Sequence, residues 1–164
     1  MWSEQKKKWF TDQVTRYRDS LYSVAISILK NDADAQDAIQ EAVLLAYQNL
    51  NSLREAASFK PWLLQILTRV CYRMMGKRLD YVELDLLEGQ LAQPQRDVDQ
   101  KLTLWDAVQR LSLGYRTVVV LFYYEELSVK RIAQILGLSQ DAVKKRLSRA
   151  REELKTILTE EVSV

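Results

Sequence analysis

The chain has 164 residues, 48% of them hydrophobic, and a formal net charge of +2, which allows one domain or two small ones with folded cores. One cysteine excludes an internal disulfide, and the sequence contains no histidine, the most common acid–base catalyst and metal ligand. We therefore expect no enzyme, no metal or cofactor site and no small-molecule substrate.

The N-terminal segment, MWSEQKKKWF, is basic and lacks the apolar core of a signal peptide. No later stretch approaches the length of a membrane span, so we expect the protein in the cytoplasm. The sequence has only four glycines and two prolines, and its apolar residues recur at spacings of three and four. This pattern predicts an all-α protein.

Two amphipathic helices are predicted in the first fifty residues. Apolar side chains recur at helical spacing from Phe10 to Ile28, so the first helix should span residues 10–29 and pack on a core. Asp34 is the predicted cap of the second helix, because its carboxylate can accept hydrogen bonds from free backbone N–H groups. Spacing alone allows the outward face of this helix to be either a partner surface or a solvated face. That face consists of Asp37, Gln40, Glu41, Leu44 and Gln48.

A loop and a basic third helix are predicted between residues 51 and 78. Pro61 suits the first position of a helix. Residues 59–78 contain five basic and no acidic side chains, together with Phe59, Trp62 and Tyr72. Such a mixture is typical of surfaces that bind single-stranded or melted nucleic acid. We favour core packing for Trp62, whereas both interpretations stay open for Tyr72.

An acidic segment divides the chain. Residues 80–99 contain six acidic side chains and one arginine, and Gly89 and Pro94 interrupt any helix there. We interpret residues 80–100 as a linker between one small helical domain, residues 1–79, and another, residues 101–164. The second domain should begin with a helix over residues 102–111 and an apolar helix over residues 115–124.

Residues 127–155 have the pattern of two helices joined by a glycine turn. Ser128 can cap the first helix, Gly137 supplies the left-handed residue that ends it, and Ser139 can cap the second. These features predict a helix-turn-helix, whose second helix enters the major groove of DNA.

The second of these helices has an apolar stripe from Val143 to Leu154 and a free face opposite. Eight basic residues oppose three acidic ones between residues 127 and 158, which favours DNA binding over a merely solvated hairpin. Lys145 and Arg149 lean away from the stripe and should meet bases, whereas Arg146 and Arg151 should hold phosphates. The full set of predicted contacts is Lys130, Arg131, Ser139, Gln140, Lys144, Lys145, Arg146, Ser148, Arg149 and Arg151.

Three segments carry a resemblance to a known family. DADAQDAIQEAVLLAYQNL, FKPWLLQILTRVCYRMMGKR and residues 111–154 resemble, in this order, the polymerase-binding segment, the minus-10 helix and domain four of a bacterial RNA polymerase sigma factor of the extracytoplasmic-function (ECF) group. The resemblance covers nearly the whole chain.

The resemblance implies a transcription initiation factor without a catalytic step of its own. The outward face of the second helix would contact the clamp helices of the β′ subunit of core RNA polymerase, and the β flap would contact the second domain. Promoter DNA would meet the helix-turn-helix at the minus-35 element and the first domain at the minus-10 element. The residues expected at minus-10 are Arg54, Ser58, Phe59, Lys60, Gln65, Thr68, Arg69, Tyr72 and Arg73. An anti-sigma protein is the further partner that the family implies.

The chain departs from the family pattern at three places. Arg69 stands where many relatives have asparagine, and the loop LREAASF lacks a common Arg-Gly pair. Leu111-Ser112 replaces a frequent Leu-Pro, which should alter a turn rather than a contact. The alternative hypothesis is an autonomous helix-turn-helix regulator that dimerises through residues 1–80, and the acid-free stretch at residues 59–78 argues against it.

Overall fold

A computed structural model of the chain describes residues 3–76 and 102–162, with side chains up to residue 160. Within these ranges every regular element is helical, which confirms the predicted all-α class. The chain divides into two compact units after Gly76. The predicted linker lies outside the described residues, so its bounds and those of the two domains stay predictions. No described helix is long and apolar enough to cross a membrane.

The first unit is built from four described α-helices: α1 (Glu4–Arg16), α2 (Arg18–Leu29), α3 (Asp32–Gln48) and α4 (Phe59–Met74). Two 3₁₀ turns, Leu50–Ser52 and Ala56–Ser58, lie between α3 and α4. Helices α2, α3 and α4 pack on one another. The inner face of α3 consists of small, fully buried side chains, namely Ala35, Ala38, Ala42 and Ala46.

The predicted helix over residues 10–29 is two helices, and the first begins earlier. Ser3 caps α1 by accepting a hydrogen bond from the Lys6 N–H at 3.3 Å. Tyr17 interrupts the helix, with φ −100° and ψ 15°. Its ring lies 6.2 Å from the ring of Phe59 on α4. A contact with a residue so distant in sequence cannot be inferred from helical spacing.

The second helix also begins before its predicted cap. The side-chain oxygen of Asn31 accepts a hydrogen bond from the Asp34 N–H at 2.9 Å, so Asn31 is the cap and Asp34 lies in the first turn. The Tyr22 hydroxyl donates to the Asp32 carboxylate at 2.7 Å, and this hydrogen bond raises the pKa of Tyr22. Both contacts fix the turn between α2 and α3.

The second unit contains α5 (Leu104–Gln109), α6 (Leu113–Val119), α7 (Val129–Leu136) and α8 (Gln140–Val162), with a π-helical turn, Val120–Tyr124, after α6. Thr103 and Asp106 form a reciprocal capping box at the start of α5. Arg116 is buried, and its guanidinium donates to the Leu111 carbonyl at 2.7 Å. This hydrogen bond holds the turn between α5 and α6.

The helix-turn-helix has the predicted caps and turn. The Ser128 hydroxyl accepts from the Arg131 N–H at 3.1 Å, and the Ser139 hydroxyl accepts from the Ala142 N–H at 3.1 Å. Gly137 has φ 67°, a left-handed conformation that favours glycine. Local capping therefore defines both ends of the turn between α7 and α8.

Candidate nucleic-acid and polymerase interfaces

The free face of α8 carries exposed polar and basic side chains. Its apolar stripe fixes the orientation of the helix, because Val143, Leu147 and Ala150 are buried. The predicted minus-35 residues that are exposed are Lys130, Ser139, Gln140, Lys144, Lys145, Ser148, Arg149 and Arg151, and Arg131 is half-buried. The cationic side chains of this set can neutralise DNA phosphates, and those near the start of α8 can approach base edges.

Arg146 does not belong to this exposed face. Its side chain is 6% exposed, and neither of its Nη atoms has a hydrogen-bond partner within the described part of the chain. Arg146 directly precedes Leu147 of the apolar stripe and is enclosed with it. The prediction that Arg146 holds a phosphate is wrong in this fold, because an enclosed guanidinium cannot reach a DNA backbone outside the domain.

Arg151 is exposed but already makes a hydrogen bond. Its Nη1 donates to the Tyr123 hydroxyl at 2.7 Å. Arg151 also borders a groove of about 510 Å³ that includes Leu154 and Leu158. A phosphate contact would have to replace or extend the hydrogen bond to Tyr123, so this role stays a prediction.

Helix α3 exposes the strip that its spacing predicts. Asp37, Gln40 and Gln48 are exposed, Leu44 is 56% exposed and Glu41 is half-buried. The strip is directed away from the core because the opposite face of α3 is the buried alanine face. A single exposed leucine is ordinary on a protein surface, so the role of this strip in polymerase binding stays a prediction.

An ion pair joins this strip to helix α4. The Glu41 carboxylate accepts from the Arg73 guanidinium, and the two side chains are 44% and 60% exposed. Glu41 is a predicted polymerase contact, and Arg73 is a predicted minus-10 contact. The two predicted surfaces of the first unit therefore meet at this pair.

Three of the residues predicted at the minus-10 element are buried. Phe59, Thr68 and Tyr72 are each at most 1% exposed. The Phe59 ring lies in an aromatic cluster, 5.3 Å from Trp9 and 5.9 Å from Phe10. Thr68 and Tyr72 are one helical turn apart on the buried side of α4, which packs on α2 and α3. The predicted DNA contacts of these three side chains are wrong in this fold.

A neighbouring stripe of α4 is open and lines a groove of about 290 Å³ beside the end of α3. Trp62, which we expected in the core, is half-buried and borders this groove. Asn49 and Ser52, which were not among the predicted site residues, also border it. The sequence did contain a signal for these two residues, because they lie in a polar run that follows the apolar pattern of α3. The residues lining the groove are Leu45, Asn49, Ser52, Trp62, Ile66, Arg69, Val70 and Arg73.

The other predicted minus-10 residues lie at or near the surface. Arg54 is exposed, and Ser58 is half-buried. Lys60 is half-buried, with its Nζ 5.9 Å from the Tyr17 ring centroid. With the Gln65 amide oxygen turned toward Arg69, Gln65 accepts from Nη1 of Arg69 at 3.0 Å. This contact orients the Arg69 guanidinium at the edge of the groove.

Cys71 does not supply a nucleophile on this surface. Its side chain is fully buried, and burial raises the pKa of the thiol to about 12, so the thiol stays protonated at neutral pH. Within residues 3–76 and 102–160 no group of three or more acidic or cysteine side chains could hold a metal ion. The described surfaces carry cationic side chains that can contact phosphates and an aromatic side chain that can stack on a base. These groups suit the binding of a nucleic acid.

Comparisons with known proteins give the family. The chain matches Sigma-70 region 2 over residues 13–79 and Sigma-70 region 4 over residues 101–154. The ECF RNA polymerase sigma factor SigW of Bacillus subtilis (strain 168) is 33% identical over 162 residues, which cover 89% of this chain and 87% of SigW. The RNA polymerase sigma factor SigV of the same organism is 29% identical over 153 residues, 90% of each chain.

A solved structure has the same fold. The sigma factor RpoE from Bartonella quintana, in complex with the anti-sigma factor NepR, aligns with a TM-score of 0.71 over 93% of this chain and 98% of that chain, at 22% identity. Both Sigma-70 regions occur here in one chain, and the identity to SigW extends over most of both proteins. This protein therefore belongs to the extracytoplasmic-function sigma factors of bacterial RNA polymerase, which direct promoter-specific transcription initiation.

Proposed function

We propose that this sigma factor binds core RNA polymerase through the exposed strip of α3 and reads promoters with two separate surfaces, the groove beside α4 and the free face of α8. The observation that carries the proposal is that each unit presents exposed cations on its own helix, with Arg69 and Arg73 on α4 and Lys145 and Arg149 on α8. The two surfaces suit two promoter elements rather than one. The polymerase performs the chemistry.

Polymerase binding is assigned to Asp37, Gln40, Glu41, Leu44 and Gln48. Family membership supports this assignment, as does the exposure of the strip on the side of α3 opposite its buried alanines. The strip combines acidic, amide and apolar groups, so a partner can be held by charge, hydrogen bonds and apolar contact together.

Minus-10 binding is assigned to the groove beside α4. Trp62 supplies an aromatic side chain for a base, Arg69 and Arg73 supply charges for the backbone, and the amides and hydroxyls of Asn49 and Ser52 can meet base edges. Aromatic and basic groups in one groove favour a melted strand, whose bases are accessible. This assignment replaces the buried Phe59, Thr68 and Tyr72 of the sequence-based prediction, and it retains Arg54, Ser58, Lys60 and Gln65 as further proposed contacts of the first unit.

Minus-35 binding is assigned to the start and free face of α8. Lys145 and Arg149 lie one helical turn apart and are exposed, so both can enter a major groove. In the same unit, Leu104 is 56% exposed and Tyr123 is 49% exposed. The proposal that the β flap binds the second unit rests on family membership, and these two exposed side chains are its candidate contacts.

Control by an anti-sigma protein is proposed from family membership and from RpoE of Bartonella quintana, which is seen with an anti-sigma factor. Such an inhibitor would cover the polymerase surfaces of the chain. We place the protein in the cytoplasm, where the polymerase and its promoters are.

The test is a titration of labelled promoter DNA with the full chain, with and without core polymerase, at one fixed salt concentration. The chain alone should bind weakly and without sequence preference, because a single helix-turn-helix reads few base pairs and the two units differ, so they cannot pair as symmetric half-sites. Adding core polymerase should produce promoter-specific binding, since the polymerase would hold both surfaces on one DNA molecule. Nanomolar, sequence-specific binding by the chain alone would instead establish an autonomous regulator.

A further inference from the structure

The ion pair between Glu41 on α3 and Arg73 on α4 joins the two proposed binding surfaces of the first unit. Glu41 belongs to the polymerase strip, and Arg73 lines the groove assigned to the minus-10 strand. Each side chain remains about half exposed, so a partner can approach either one from solvent. The same two groups can therefore hold each other or hold two different partners.

We propose that Glu41 and Arg73 form an internal latch that couples polymerase binding to minus-10 binding. In the free chain the Glu41 carboxylate and the Arg73 guanidinium bind each other. When core polymerase takes the Glu41 carboxylate, the Arg73 guanidinium is released for a phosphate of the minus-10 strand. Arg73 thus acts on polymerase binding as a positioning residue, through Glu41. This inference rests on the proposed function. It describes how binding of core polymerase favours binding of the minus-10 strand.

The coupling between the two ligands is favourable because both bind at the cost of breaking the same ion pair. Polymerase alone must break the pair, and DNA alone must break the pair, but the two together break it only once. Each ligand therefore makes the other bind more tightly, by the same factor. Exposed ion pairs are weak, so the factor should be small, about two- to fivefold.

The neighbouring Arg69 provides a matched control. It is exposed on the same groove one turn before Arg73, but its guanidinium contacts the neutral amide of Gln65. Loss of Arg69 removes one positive charge without releasing a carboxylate of the polymerase strip. An effect on polymerase affinity that is specific to Arg73 can therefore be separated from a general effect of charge.

The experiment measures the affinity of the full-length protein for core polymerase, without DNA, for the wild type, Arg73→Ala, Arg69→Ala, Glu41→Gln and the double variant Glu41→Gln/Arg73→Ala. Arg73→Ala should bind core about two- to fivefold more tightly, because Glu41 is free, although the same variant should bind the minus-10 strand less well. Arg69→Ala should weaken DNA binding without this gain. In the Glu41→Gln background, Arg73→Ala should have no effect on core affinity. Thermal melts establish that all variants are folded.

Two failures are distinguishable. If Glu41→Gln weakens core binding but Arg73→Ala binds no more tightly than Arg69→Ala, the latch is disproved and the polymerase surface stands. If the double variant Glu41→Gln/Arg73→Ala binds core as tightly as Arg73→Ala does, Glu41 is not part of the polymerase surface, and the latch fails with that assignment.

Discussion

Arg146 is a charged side chain in an apolar setting. Its guanidinium is enclosed, and neither Nη atom finds a hydrogen-bond partner among the described residues. Burying an unsatisfied polar group opposes folding by about 1–3 kcal/mol. We therefore expect Arg146→Met, which keeps a long side chain, to raise the free energy of unfolding in urea by about that amount.

The matched control is Arg149→Met, which changes an exposed arginine of the same helix and should leave stability within about 0.5 kcal/mol. A loss of stability in Arg146→Met would contradict the prediction. It would mean that the charge is compensated in solution, for which the buried carboxylate of Glu125 in the same unit is the candidate.

Arg149 and Arg151 should differ in the kind of DNA contact they make. Arg149 is exposed on the free face of α8, whereas Arg151 is bound to the Tyr123 hydroxyl. With core polymerase present, Arg149→Ala should cost about 1–3 kcal/mol at the preferred minus-35 sequence and relax the preference. Arg151→Ala should weaken all sequences alike and reduce the salt dependence. Equal losses on matched and scrambled minus-35 sites for both variants would refute the distinction.

Cys71 should make the first unit less stable in alkaline solution. Burial raises the pKa of its thiol from 9.0 to about 12. Below pH 9 the thiol is protonated in both states, but between pH 9 and about 12 it ionises only in the unfolded chain, so the free energy of unfolding falls over that range. Urea melts from about pH 8 to about pH 11 should show a steeper decline for the wild type than for Cys71→Ala. Parallel declines would show that the thiol is accessible when folded.

At the scale of helices, Ser112 marks a departure from the family pattern that has a physical cost. It is 5% exposed, its hydroxyl has no hydrogen-bond partner within the described ranges, and its φ of −60° already matches the angle that proline fixes. Ser112→Pro should therefore stabilise the protein by about 1 kcal/mol, by restricting the unfolded chain and removing the unpaired hydroxyl.

Ser112→Ala separates these two causes, because it removes only the hydroxyl. We expect it to give part of the gain in thermal melting temperature. A lower melting temperature for Ser112→Pro, without a decrease for Ser112→Ala, would contradict the prediction. It would mean that this fold needs either the Ser112 N–H or a conformation of Leu111 that a following proline disfavours.

The helix ends of the second unit could be predicted from sequence because capping is local. Ser128, Gly137 and Ser139 each act within a few residues of their own position. The break at Tyr17 and the burial of Tyr72 could not, because both depend on packing between helices distant in sequence. A periodic pattern identifies a buried side of α4 but does not define which of two adjacent stripes faces outward.

The same limit applies to the candidate site. The polar strip of α3 and the free face of α8 follow from spacing on single helices, and the structure exposes both. The groove beside α4 brings together residues from α3, the following turn and α4, and the pair of Glu41 and Arg73 joins positions 32 residues apart. The surfaces on single helices could therefore be predicted from the sequence, whereas the site made between helices could not.

At the scale of the whole molecule, the proposed inhibitor should be detectable as a bound protein. Tagged full-length protein recovered from uninduced cells should carry a stoichiometric second protein, and Leu44→Glu should reduce the recovery of both that protein and polymerase, if they compete for the exposed strip of α3. Leu104→Glu, at an equally exposed leucine of the second unit, tests whether the inhibitor covers that unit too. Recovery of polymerase without any such partner would contradict the proposal.

The burial of the Cys71 thiol also affects how the first unit can respond to oxidants. Oxidants attack cysteines that are exposed and ionised, and Cys71 is neither. Cys71 is the one cysteine of this sequence, so a thiol response within these residues would first require the core of the first unit to open.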